Sequence, residues 1–281
     1  MKARELNLSG SLKHRSHNET NMIREKLIDK GIGDNTKFRW RSHEISRIEG
    51  LSDAVFAFAV TLLVVSLEVP RTFGELMEAM RGFGAFAICF TLLVVVWFTQ
   101  YKFFRRYGLE DTLTVILNLV LLFVVLFYVY PLKFVFTFLV NVFTGHGIGV
   151  RLANGTEGAM IETDGQVATL MAIFSIGYLA VFGLFVLLYL HAYRKREQLE
   201  LNELEVFDTR KDIQESALMV IIAVISLGFA LSGARRMASL SGMTYMLCPI
   251  VMTLNGMLMS KRRKKIEERL SFRERAELES N

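Results

Sequence analysis

Cysteine is nearly absent: two in 281 residues, Cys89 and Cys248, each inside an apolar block. That scarcity excludes a disulfide framework and a cysteine metal cluster, and leaves two buried thiols. His14, His17 and His43 are too poorly spaced to make one metal site. Neither HExxH nor GxSxG occurs, and no apolar block offers a second aspartate to pair with Asp53. Without a nucleophile and base, a carboxylate pair or a metal set, the chain does not read as an enzyme. Proline is rare as well, three in the chain, and there is no low-complexity segment. Residues 1–46 are polar with no apolar core before a small-residue cleavage site, so no signal peptide is expected.

What the chain has is long apolar runs. It is 52% hydrophobic, and its charges gather between the runs. A membrane crossing needs about 20 mainly apolar residues. Six blocks meet or approach that, near 50–69, 83–104, 112–139, 168–191, 213–232 and 237–259. The expected fold is therefore all-α: a polytopic membrane protein with six transmembrane helices. It divides into a cytoplasmic polar tail over 1–46, a six-helix domain over 47–260 and a basic, charged cytoplasmic tail over 261–281. Pro131 is expected to kink the third helix or end its straight part.

The net charge of +5 resides mostly in the two ends and one connector. Such basic flanks belong beside membrane helices, so nucleic acid is not an expected partner. Lys102, Arg105, Arg106, Arg194–Arg196, Arg210, Lys211 and the run 261–265 fall on one side, which puts both termini in the cytoplasm. Residues 21–30 read as a short surface helix, and 194–212 as a cytoplasmic extension of the fourth span. The Gly-rich 141–166 segment reads as an outside loop, with a glycosylation pattern at Asn154-Gly155-Thr156. Lys133 reads as a snorkelling lysine near the outer end of the third span.

The first span carries the unusual chemistry. An ionisable group in such a helix costs roughly 2.5 to 3.5 kcal/mol on insertion scales unless it meets a partner or water. Arg47, Glu49, Ser52 and Asp53 open it, and an almost unbroken apolar run follows. At about 100° per residue, Phe58, Leu62 and Val65 form one stripe with Thr61 on its edge. Asp53, Ala57 and Val64 lie on another side.

Arg47-Ile48-Glu49-Gly50-Leu51-Ser52-Asp53 resembles the RxxxFSD signature of the endosomal and lysosomal potassium channel family and its bacterial relatives, with Leu51 in place of phenylalanine. Trp97, Asn118 and Pro131 are similar to the family's pattern, and Gln100 stands where the family often has histidine. The likeness covers roughly 44–260. It implies a pore lined by the first helix of several subunits. The narrowest ring falls at Phe58, with Thr61 or Leu62 and then Val65 deeper. It also implies a polar network in which Arg47, Ser52 and Asp53 tie the first helix to its neighbours; here Asp53 would accept from Asn118 or Gln100 and be balanced by Arg47. Loss of Arg47 should then harm assembly before selectivity.

No TVGYG-like carbonyl filter occurs, and Ile176-Gly177-Tyr178 reads as helix packing. An apolar ring gates by excluding water, so a permeant ion sheds part of its hydration. The implied activity is a potassium-permeable leak channel with potassium as permeant, no cofactor and no small-molecule substrate. One motif per chain points to a homotetramer in the cell membrane, surrounded by lipid. A ring of Glu68 would attract cations, although a solvated interface carboxylate is the plainer reading. Two rivals stay open: a non-conducting scaffold of the same fold, favoured by the bulk of Phe58, and a proton or secondary transport pathway through Asp53 or Glu68.

Overall fold

The structure is a computed structural model describing residues 38–42, 44–65, 71–144, 149–151, 157–161, 163–232 and 235–280. The expectations for His14, His17, His43, the 21–30 helix, Glu68 and the Asn154 pattern lie outside the described residues. The helices are α1 Arg47–Val65, α2 Phe73–Arg81, α3 Phe83–Tyr107, α4 Thr112–Thr144, α5 Asp164–Arg194, α6 Glu203–Leu231, α7 Arg235–Thr244 and α8 Leu247–Ser280. A three-residue antiparallel pair, β1 Gly149–Arg151 and β2 Glu157–Ala159, lies between α4 and α5.

Among the described residues, five helical stretches are long and apolar enough to cross a membrane: α3, α4, α5, α6 and the stretch Leu240–Leu270. α1, with 19 described residues, is roughly 28 Å long at 1.5 Å per residue. The chain is an all-α integral membrane protein. α1 packs on α3 and α4, α4 on α5, α5 on α6, and α6 on α8, with α7 against α5 and α6.

Several boundaries differ from the sequence reading. The expected 141–166 loop is shortened at both ends, because α4 runs to Thr144 and α5 starts at Asp164, with the β1–β2 pair between them, and α2 was not foreseen. The sixth block is broken at Tyr245 and Met246 into α7 and α8, and Pro249 lies in the first turn of α8, where its missing N–H costs no helical bond. α8 then runs on past residue 260 to Ser280, so the 260/261 boundary marks a change of composition inside one helix. Arg263 there pairs with Asp208 at 3.0 Å and Arg269 with Glu203 at 3.7 Å, which holds the charged half of α8 against α6. Finally, the 194–212 connector does not prolong the fourth span. α5 stops at Arg194, the chain turns through Glu200 at φ 48°, and Asn202 starts α6. Its side chain accepts from the Glu205 N–H at 2.8 Å while its own N–H donates to Glu205 Oε2 at 3.0 Å, a reciprocal cap that begins a new helix.

α4 continues through Pro131 to Thr144. The glycine of Ile176-Gly177-Tyr178 has a packing role: a Cβ there would run into the ring of Tyr128, whose hydroxyl donates to the Phe174 carbonyl at 2.6 Å. Gly177→Ala should therefore push α4 from α5 and destabilise the fold by about 1–3 kcal/mol, the range for overpacked cores. Thermal unfolding of the purified protein checks this, with Gly183→Ala, which meets nothing within 4 Å, as the control.

At one end of the bundle, the segment 38–42 lies as a strap across the α3–α4 and α5–α6 connections. Phe38 is buried at 2% exposure, edge-on to Tyr107 and under the Arg106 guanidinium 4.8 Å from its ring. The Arg41 N–H donates to the Arg105 carbonyl at 3.1 Å. Gly108, at φ 58°, ends α3 beside the Arg41 backbone; this left-handed turn favours glycine. Nearby, Asp111 accepts from Thr114 and His191 and faces Lys195. Burial raises the Asp111 pKa, but these partners outweigh it and hold the carboxyl below its ordinary value.

Candidate functional site

α1 divides cleanly into two faces. Ser52, Phe56, Ala59 and Leu63, spaced i, i+4, i+7 and i+11, are buried against α3 and α4. Leu51, Asp53, Ala54, Ala57, Phe58, Thr61 and Val64 are exposed. Phe58 is 55% exposed, directed away from the protomer's own core. The Thr61 hydroxyl donates to the Ala57 carbonyl at 2.9 Å, which leaves its oxygen lone pairs outward. Leu62, about 40° round the axis from Phe58 toward the buried face, is half-buried and packs on the core. The side chain of Val65 lies outside the described residues. Of the stripe read from sequence, Phe58 and Thr61 thus share the open face, and Leu62 turns partly away.

The anchor of α1 is a closed polar triangle. Gln100 of α3 donates to Ser52 Oγ at 2.7 Å and also to Asn118 Oδ1, and Asn118 of α4 donates to Ser52 Oγ at 3.0 Å. Ser52 Oγ in turn donates to the Ile48 carbonyl at 2.8 Å, so its one proton and two lone pairs are all used. All three side chains are at most 2% exposed. Asn118→Ala leaves Gln100 and Ser52 short of partners, an expected loss of about 1–3 kcal/mol. The melting temperature of the purified protein is the check.

Asp53 does not join that triangle. It accepts from the Trp97 indole N–H at 2.7 Å. The amides of Gln100 and Asn118 serve Ser52 instead because Ser52 lies on the buried face, about 100° round the helix from its neighbour. Nor does Arg47 balance Asp53 among the described residues. Six residues apart, the two are about 240° apart around the axis, and Arg47 is exposed. The carboxylate that does meet an arginine is Glu49, 3.5 Å from Arg105. Glu49 also accepts from the Ser46 N–H at 3.3 Å while Ser46 Oγ accepts from the Glu49 N–H at 3.2 Å. This Ser-x-x-Glu capping box fixes the start of α1; the sequence reading missed it, although the Ser-x-x-Glu spacing was the signal that could have found it. At the other end, Lys133 Nζ donates to the Leu63 carbonyl at 3.2 Å, so this lysine ties α4 to α1.

A helical membrane protein whose first described helix is pinned on one side by a buried hydroxyl–amide triangle, and bare on the other, is the class that these features define. The family model described as "Endosomal/lysosomal potassium channel TMEM175" matches residues 47–128, which holds α1, the triangle and the Trp97–Asp53 bond. A protein named "Potassium channel" from Marivirga tractuosa is 39% identical over 254 residues, 86% of this chain and 98% of that one. A second potassium channel, from Streptomyces collinus, is 32% identical over 89 residues, 30% of this chain and 43% of the other. A solved structure of the potassium channel MtTMEM175, a point variant bound to a nanobody fusion, superposes with TM-score 0.70 at 38% identity over 82% of this chain and 100% of that one. The fold is also that of a TMEM175 homolog from Chamaesiphon minutus, with TM-score 0.50 and 19% identity over 78% of this chain and 99% of the other. This chain belongs to the TMEM175 potassium channel family, a family of channels rather than enzymes.

Proposed function

We propose that the chain is one subunit of a potassium-permeable leak channel, a homotetramer in which the bare face of α1 lines a central pore. The observation that carries this reading is the outward placement of Phe58 and Thr61 on a helix whose opposite face is locked into its own protomer. One chain offers one such helix, so a closed ring requires several copies. Family membership and the potassium channels it resembles support the choice of ion.

In this arrangement Phe58 forms the constriction and works by excluding water rather than by coordinating the ion. Potassium parts with its hydration more readily than sodium, which gives a preference of the right sign. The Thr61 oxygen offers a contact on the next turn. Potassium is the permeant and no cofactor is needed. In this reading both termini lie in the cytoplasm of a cell-membrane protein, with 1–46 and the charged half of α8 on that side, which the Lys- and Arg-rich ends of the bundle support. Arg47 acts between subunits: its side chain is exposed on its own protomer. Arg47→Ala should leave the unfolding of the protomer within about 0.5 kcal/mol but shift the oligomer toward smaller species on native mass measurement.

The scaffold reading keeps one observation in its favour, the size of the Phe58 ring at the narrowest point. Liposomes holding purified protein under separate potassium, sodium and proton gradients decide between them. A channel gives potassium flux exceeding sodium flux; a scaffold gives neither, and a proton pathway responds to the pH gradient alone.

A further inference from the structure

A cavity of about 330 Å³ lies apart from α1, enclosed by α3, α4, α5, α6 and α8. On α3 it reaches from Leu92 to Lys102, about 15 Å of helix at 1.5 Å per residue. That is half of the roughly 30 Å hydrocarbon core, the depth that one leaflet fills. Most of its wall is apolar, with Leu93, Val129, Phe182 and Met219 on four different helices. Four of the five lining hydroxyls already donate to protein acceptors: Tyr128 to the Phe174 carbonyl, Thr99 to the Val95 carbonyl, Ser216 to the Asp212 carbonyl and Tyr178 to Met219 Sδ. With Tyr189 the one other lining hydroxyl, the wall away from the charged end offers little to a polar solute. A hydrocarbon chain suits it.

The two ends of the cavity differ. At the end nearer the α3–α4 connection stand Lys102 on α3 and Asp212, Glu215 and Ser216 on α6. Asp212 is paired with Arg106 at 2.8 Å, and Glu215 lies 3.6 Å from Lys211 on its own helix. Both signs of charge face the mouth, on opposite walls. An anionic headgroup or a fatty acid would use Lys102 and gain nothing from Glu215 on the facing wall. A headgroup carrying a phosphate and an ammonium finds Lys102 for the one and Glu215 for the other. Val95 and Phe98, each 51% exposed, border the cavity on the flank of α3, so it opens sideways toward the membrane.

We infer that this cavity is a binding site for a zwitterionic phospholipid, an acyl chain lying along the apolar wall and the headgroup between Lys102 and Glu215. The site is independent of the α1 pore face, and its occupancy is read without measuring flux.

The test reconstitutes the full chain in vesicles of equal phosphatidylethanolamine and phosphatidylglycerol with a little oleic acid. The protein is re-extracted in mild detergent, and the bound lipid per chain is counted by mass spectrometry. About one phosphatidylethanolamine per chain is expected, enriched at least threefold over phosphatidylglycerol. Val96→Trp, which puts an indole into the cavity, should lower that count at least threefold. Glu215→Lys, at the mouth, should reverse the preference toward phosphatidylglycerol, which a merely structural role would not do. If Val96→Trp does not fold, the headgroup reversal decides alone. Lipid retained in the proportions of the vesicle, oleic acid retained in place of phospholipid, no lipid retained because a neighbouring copy closes the opening, or a Glu215→Lys protein with unchanged preference would each overturn the assignment.

Discussion

Phe58→Asn is expected to raise sodium flux relative to potassium by about tenfold in liposomes, a change of about 1.4 kcal/mol in the relative barrier. The argument starts from exposure. Phe58 is 55% exposed on its own protomer, so replacing it removes little packing within the subunit and should not lower the amount of folded protein. In the proposed tetramer, four phenyl rings around the axis repel water and demand dehydration, which disfavours the more tightly hydrated sodium. Four carboxamides in their place supply oxygen and N–H groups that replace lost water for either ion. The selectivity step should collapse while total conductance rises. An unchanged ratio, with flux intact, would remove Phe58 from the constriction.

The largest effect on stability is expected at the strap. Glu205 has no exposed side-chain surface and accepts from Arg41 Nη2 at 2.7 Å, from the Arg39 N–H at 2.8 Å and from the Asn202 N–H at 3.0 Å. Arg41 also donates to the Leu199 carbonyl at 2.8 Å, so one guanidinium joins the strap, the α5–α6 turn and the first turn of α6. Arg41→Ala takes the nearest cation from the buried carboxylate and leaves it the Arg39 and Asn202 N–H groups and the more exposed Arg39 guanidinium at 3.5 Å; removing one partner of a buried pair costs about 3–5 kcal/mol. Arg41→Lys should recover only part of this, because an ammonium cannot make the planar fork. Glu205→Gln should be milder than Arg41→Ala, since it leaves a neutral amide among the donors and a partly hydrated arginine. Thermal unfolding of the three variants in one detergent orders them. Equal melting temperatures for Arg41→Ala and the parent would show that the strap carries no load.

Much of α1 was legible before any coordinates. The i, i+4, i+7 arithmetic puts Phe58 and Thr61 together on one side, and the resemblance to the RxxxFSD family groups Ser52, Asp53, Gln100 and Asn118 in one polar network. The same arithmetic sets Asp53, Ala57 and Val64 on another side, whereas all three are exposed along with Phe58. What misled was treating the heptad as one polar unit. Ser52 and Asp53 are neighbours in sequence but lie on different faces, and only the first looks inward, on the row with Phe56, Ala59 and Leu63. The same arithmetic applied to Arg47 and Asp53 separates them. Cys248-Pro249 carried the signal for a helix start, which the apolar count over 237–259 hid, because hydropathy is blind to backbone donors. The charged end of α8 looked like a tail by composition, yet Lys, Arg and Glu are good helix formers, and Asp208 and Glu203 give them partners on α6. The strap was not legible at all. Phe38 and Arg41 sit in a polar stretch with no periodicity, and their partners are far along the chain: Tyr107 and Arg106 for Phe38, and Glu205, 164 residues on, for Arg41.

The central claim is that the bare side of α1 is wetted by the conduction path. The direct measurement is thiol accessibility in a chain with Cys89 and Cys248 replaced by alanine. Phe58→Cys and Leu63→Cys are compared by adding a charged, water-soluble methanethiosulfonate to liposomes during potassium efflux. The account predicts that modification at position 58 stops efflux, while position 63, buried against α3 and α4, neither reacts nor responds. Efflux that continues unchanged after mass spectrometry shows position 58 fully modified would contradict it.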